Sequence, residues 1–138
     1  IRDPYERAQR RTRDDSLAAH VLDVGAEVFL EEWLDQPLFS TLGARGEPDT
    51  RSRDAAGLSS SLRSAGTGTQ EWLEDRLTTL EVVTLALAGE RDAKFVAEAR
   101  AIAETVPRGT FISISAAGHA AHLEQPEQVA RAIENFLA

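Results

Sequence analysis

The sequence predicts an α/β protein in which an all-helical first half precedes a strand–helix–strand–helix tail. Three observations predict it. "VVTLALAG", Val82 to Gly89, is an unbroken apolar run closed by glycine, the pattern of a strand buried on both faces, as in a parallel sheet. "KFVAEARAIAETV" then changes to helical spacing, and "TFISIS" follows as a second short strand. Upstream of Val82, every periodic segment is helical.

Asp3 and Pro4 read as a cap and first-turn pair, after which Leu17, Val21, Val24 and Val28 recur at helical spacing. Gly25 interrupts that run and predicts the end of one helix, with a second starting at about Ala26. The second helix, "AEVFLEEWLDQP", is stopped by Pro37. "GARGEPDTRSR" is a polar loop by composition. Ala55, Leu58, Leu62 and Ala65 mark a short amphipathic helix, "GTGTQ" a flexible break, and Leu73, Leu77 and Leu80 a further helix. In the tail, Val96, Ala99, Ile102 or Ala103, and Val106 share one helical face. Pro126 opens a last helix expected to turn Val129, Ile133, Phe136 and Leu137 inward.

Two parallel strands are too few for a stable sheet of this type. The chain also opens at Ile1 in a charged, helix-like stretch and contains no methionine. Both observations predict a piece of a longer chain, with the N-terminal core outside this sequence. At 138 residues the piece is the size of one domain. Its formal charge of -8 argues against nucleic-acid or anionic-membrane partners, which need a basic face. An anionic substrate would need a local arginine cluster. There is no cysteine for a disulfide or thiolate site, which leaves the redox compartment uninformed, no apolar run near the length of a membrane span, and no signal-peptide pattern at the first residue. A cytoplasmic protein is expected.

In open α/β sheets the sites lie beyond the carboxyl ends of the strands. Asp92 follows the first strand in "GERD", and His119 follows the second in "AAGH". A carboxylate on one imidazole nitrogen fixes the tautomer and raises the basicity of the other, which is the orienting half of a Ser-His-Asp system. Asp92 is also a favoured residue for capping the helix after it, and on spacing alone capping is the weightier reading. His119 reads equally as a solvated loop histidine. His119 and His122 could suggest a metal pair, but a zinc site wants further ligands, and His20 is far away in sequence, so no metal is assigned. Glu124 is expected to orient the loop or to bind helix amides near Pro126, and His122 to pack or support. No serine elbow is present: "GLSSS", Gly57 to Ser61, lacks the second glycine and a preceding strand, and no oxyanion-hole motif of the HG type is found. A base and its orienter without a nucleophile cannot run acyl transfer.

"LALAGERDAKF", "SAAGHAAHLEQP", "EEWLDQPLF" and "GLSSSLRSAGTGTQ" together resemble one α/β-hydrolase family, the 2-succinyl-6-hydroxy-2,4-cyclohexadiene-1-carboxylate synthases of menaquinone biosynthesis. The resemblance covers essentially the whole chain. It implies the C-terminal half of an α/β-hydrolase fold, with a helical cap over residues 1–67 and the last core strands and helices over 68–138. It implies Asp92 as triad acid and His119 as triad base, with the serine upstream of Ile1. The implied reaction removes a proton and eliminates pyruvate, with no metal or organic cofactor. It also implies a small polycarboxylate substrate, held by Arg10 among Arg7, Arg10, Arg11 and Arg13, and a pocket lined by Trp33. The same arginines read otherwise as a solvated helix face paired with Glu6, Asp14 and Asp15, and Trp33 as a core anchor. "RDAAGL" departs from the asparagine-containing versions of its stretch, so Arg53 is given no role. A hydrolase acting on an ester or carbon–carbon bond, and a non-catalytic module, stand as alternatives.

Overall fold

A computed structural model of the chain describes residues 1–43 and 53–138. The polar loop expected from Gly43 to Arg53 lies, apart from its two ends, outside the described residues. These form two compact units, Ile1–Asp35 with the described part of Glu47–Trp72, and the described part of Gln36–Gly46 with Leu73–Ala138.

The first unit is helical. Helix α1 (Pro4–Val24) starts as expected, with Asp3 Oδ1 accepting the Glu6 amide at 2.8 Å and Pro4 in the first turn. Gly25 ends it at φ 83 and hands the chain directly to α2 (Ala26–Leu34). A Cβ at Gly25 would meet nothing within 4 Å, so glycine is required there for its conformation and not for space. The break also resets the helical face. Ala18 and Val21 are buried on α1, and Ala26, Phe29 and Leu30 on α2, whereas Val28, which shares the helical spacing of Leu17, Val21 and Val24, is 44% exposed. Helix α3 (Ala55–Ala65), capped by Asp54 on the Ala56 amide, packs along α1.

"GTGTQ", expected to be a flexible break, is a bonded turn pressed onto α1. Arg7 Nη2 donates to the Gln70 carbonyl at 2.8 Å, Thr69 Oγ1 to the Arg63 carbonyl, and Gln70 Nε2 to the Ala65 carbonyl. A Cβ on Gly68 would lie 2.8 Å from both the Arg11 nitrogen and the Arg7 oxygen, so only glycine admits this approach.

The second unit begins with a 3-10 turn (Pro37–Phe39) and a single helical turn, α4 (Glu74–Leu77). The helix expected through Leu80 stops early. Thr79 N and Leu80 N bond three residues back, and Thr79 Oγ1 donates to the Arg76 carbonyl, so hydroxyl and amide share the last acceptors. Strands β1 (Thr84–Gly89) and β2 (Gly109–Ile114) pair in parallel, Thr84 opposite Gly109 and Gly89 opposite Ile114. Helix α5 (Ala93–Thr105) makes the crossover and packs on both strands. It buries Ala99 and Ala103, while Ile102 is 39% exposed.

Strand β1 starts two residues later than expected, and of its residues only Ala88 and Gly89 are buried. Among the described residues it pairs with β2 alone, so its full length is not covered on both faces. A short α6 (Ala121–Glu124) leads to α7 (Pro126–Leu137). Ile114, Ala117 and Ala132 form the core, with Leu87, Ile112 and Val129 against it. Ile133 and Leu137, expected to face inward, are exposed: the inward stripe of α7 centres on Ala132, and these two stand on its flank. No described helix is long and apolar enough to cross a membrane.

Candidate active site

The pairing register places the carboxyl ends of the two strands side by side, Gly89 against Ile114. Beyond Gly89 the chain turns at once, the Asp92 amide donating to the Gly89 carbonyl at 3.0 Å, and Asp92 becomes the cap of α5. Its Oδ1 accepts the Phe95 amide at 3.3 Å. Its Oδ2 lies 2.7 Å from His119 Nδ1. Capping and imidazole binding are therefore compatible at Asp92: one oxygen caps the helix, and the cap aims the other at the imidazole. The Asp92 side chain is 8% exposed and that of His119 29%. With the proton on Nδ1 donating to Asp92, Nε2 is left as the basic nitrogen.

The backbone carrying His119 is fastened to the β1–α5 turn. The Arg91 amide donates to the Ala117 carbonyl at 2.9 Å, and Glu90 Oε2 accepts the Ala116 amide at 3.0 Å. Ala116 takes a φ of 59, unusual for a residue with a Cβ. The loop crosses so close to β1 that a Cβ on Gly89 would collide with the carbonyl oxygens of Gly118 and Ala117. A Cβ on Gly118 would strike Thr41 Oγ1. Glu124, buried at 4% exposure, reaches back to the loop, as one of its two expected roles required.

Two aromatic rings grip the imidazole edge-on, Phe95 at 4.7 Å and Phe39 at 5.7 Å between centroids. Neither was singled out from the sequence, nor were Thr41 and Glu90. Phe95 could have been found, because it sits one turn into the helix that Asp92 caps. Phe39 and Thr41 arrive from a distant segment and leave no local signal. The pair opens on a cavity of about 260 Å³ lined also by Leu87, Phe95, His122 and Val129. His122 is exposed and has no hydrogen bond among the described residues. Among those residues no three His, Asp or Glu side chains converge as a metal site.

Arg10 and Trp33 belong to the first unit. Arg10 Nε donates to Asp14 Oδ1 at 2.8 Å, the ion-paired arrangement of the solvated-face reading. Asp14 is nevertheless buried, with its Oδ2 unpaired against Gly66. The Arg10 Nη groups have no hydrogen bond among the described residues. Trp33 stacks on Phe29 with centroids 5.8 Å apart, and Phe29 meets His20 edge-on.

Parallel strands joined by a helical crossover, with an acid after one and its partner histidine after the next, have the arrangement of the α/β-hydrolase class. Comparison with known proteins narrows the class. The chain is homologous along its length to the 2-succinyl-6-hydroxy-2,4-cyclohexadiene-1-carboxylate synthases of menaquinone biosynthesis. The synthase of Klebsiella pneumoniae subsp. pneumoniae is 32% identical over 142 residues, covering 100% of this chain and 54% of that protein. A Bacillus subtilis (strain 168) protein provisionally given the same name is 34% identical over 140 residues, covering 96% of this chain and 51% of that protein. The structure of MenH from S. aureus superposes with a TM-score of 0.91 at 34% identity, over 99% of this chain and 54% of that one. The chain spans about half the length of the curated relatives it matches. No protein-family model matches it.

Proposed function

We propose that these residues form the C-terminal part of a cytoplasmic lyase that makes 2-succinyl-6-hydroxy-2,4-cyclohexadiene-1-carboxylate, the cap lying within 1–67 and the last core strands within 68–138. The observation that carries the reading is the 2.7 Å Asp92–His119 bond at the carboxyl ends of adjacent parallel strands, in a chain homologous to such synthases.

In this reading Asp92 holds His119 in the tautomer whose Nε2 is basic, and a serine in the remainder of the protein completes the triad. His119 takes the serine proton, and the serine oxygen takes a proton from the substrate ring. The freed electron pair forms a ring double bond as the carbon–oxygen bond to the side group breaks. That group leaves as the enolate of pyruvate, which gains a proton on carbon. Arg10, its Nε fixed by Asp14, offers its Nη edge to a substrate carboxylate, and Trp33 lines the pocket. No metal or organic cofactor enters the scheme.

The test uses the full-length protein that contains these residues. Pyruvate release from the ring precursor is expected, and His119→Ala should lower kcat by about 10³-fold or more. Ester hydrolysis without pyruvate release, or a His119→Ala variant at the parent rate, would overturn the reading.

A further inference from the structure

We infer that Glu124 is a positioning residue for His119, a role that rests on the proposed part of His119 as the base. Its carboxylate is buried, and both of its oxygens are spent on the loop that carries the histidine. Oε2 accepts the Gly118 amide at 2.8 Å, and Oε1 accepts the Ala120 amide at 3.2 Å. These are the amides of the two residues on either side of His119: the Ala120 amide belongs to the peptide that follows His119, and the Gly118 amide to the peptide one residue upstream of it. Fixing both leaves the His119 Cα little freedom to rotate or shift.

The chemistry selects glutamate. Two converging N–H groups need two acceptor oxygens, and a carboxylate supplies both, whereas a carboxamide supplies one and turns a donor toward the other amide. A buried carboxylate is tolerated only where such donors meet it. Geometry makes the clamp specific to the loop. Glu124 terminates α6 and folds back across that short helix, and its Oε1 would lie 3.2 Å from a Cβ added at Gly118, so the loop and the carboxylate are already in close contact.

The rest of the loop is held from the opposite side. Glu90 and the Arg91 amide bind Ala116 and Ala117, and Asp92 binds the imidazole itself. Those contacts hold the approach to His119 and its ring, while Glu124 holds the amides of the residues before and after it. Without the clamp the 2.7 Å bond to Asp92 would be made by a ring on a loose backbone, and displacements of about 1 Å in a catalytic group cost up to about 100-fold in rate.

The experiment compares Glu124→Gln with the parent in the full-length protein, by pyruvate-release kinetics and by the NMR signal of the His119 Nδ1 proton. The expected result is a fall in kcat of about tenfold or more with KM changed less than about twofold, and a broadened or shifted Nδ1 signal. Glu124→Asp, which keeps both oxygens on a shorter stem, should recover part of both. A folded Glu124→Gln variant with the parent kcat and an unchanged Nδ1 signal would overturn the inference. If Glu124→Gln fails to fold, Glu124→Asp is read in the same way. Failure of both to fold also overturns it, because the contact would then serve the fold alone. His119→Ala is measured alongside: if it keeps the parent rate, the functional reading falls, while the Nδ1 signal still decides whether Glu124 places the ring.

Discussion

Asp92 spends its two oxygens on different tasks, and substitutions can separate them. Asparagine is as good a cap as aspartate, so Asp92→Asn should keep the bond to the Phe95 amide and change stability by no more than about 0.5 kcal/mol. Its amide nitrogen would face His119 as a donor and force the proton to Nε2, the wrong tautomer for a base. Activity of the full-length protein should fall about 10³- to 10⁴-fold, the scale of the same change in serine-protease triads. Asp92→Ala should lose activity and also about 1 kcal/mol of stability with the cap. Urea midpoints and pyruvate release, measured on both variants, check this. Equal destabilisation by asparagine and alanine would show that the cap is not the separate function claimed for it. Both contacts of Asp92, the cap and the bond to His119, were legible from its place after a strand and before a helix. Its partner oxygen was not, because which oxygen meets which group depends on the fold.

Elements meet at this site through two glycines of different kinds. At Gly89 the obstacle to a side chain is backbone, the carbonyls of Ala117 and Gly118, which no single substitution removes. At Gly118 the nearest obstacle is a side-chain oxygen, Thr41 Oγ1. Gly118→Ala should therefore cost about 1–3 kcal/mol in overpacking, and Thr41→Ala should relieve a part of it. A double-mutant cycle on urea midpoints should give a coupling above about 0.5 kcal/mol, while the same Thr41→Ala change leaves the cost of Gly89→Ala unaltered. Additive effects at Gly118 and Thr41 would sink the distinction. The carboxyl end of β1 at Gly89, the Asp3 cap and the Gly25 break were readable because their causes lie within a few residues. The packing of Phe39 on His119, and of Thr41 on Gly118, brings together residues about 80 apart, and no periodicity carries that information. The turn "GTGTQ" departs from its expected flexibility for the same reason: Gly68 answers to the backbone of α1, and Gly66 to the Asp14 side chain and the Leu62 carbonyl.

At the scale of the whole molecule, local pattern identified the helices and strands but could not supply what covers them. Much of the buried apolar set is alanine, including Ala18, Ala26, Ala88, Ala99, Ala103, Ala117, Ala120 and Ala132, and alanine removes little apolar area from water. Larger side chains stay outside: Val82 is 64% exposed, Leu137 76% and Ile133 41%. Among the described residues β1 is bonded on one side only, which leaves a row of backbone donors and acceptors open to pairing. A two-stranded sheet with this much uncovered apolar surface is marginal alone. The 138-residue chain produced by itself is therefore expected to be inactive, to unfold over a broad denaturant range and to associate as its concentration rises. Val83, 46% exposed just ahead of β1, gives a handle, since Val83→Lys places a charge at that edge and should reduce association without restoring a cooperative transition. Sedimentation across a concentration series, with urea unfolding followed by circular dichroism, measures both. A sharp monomeric transition in the isolated chain would show that these residues bury enough among themselves, and that the uncovered strand is no liability.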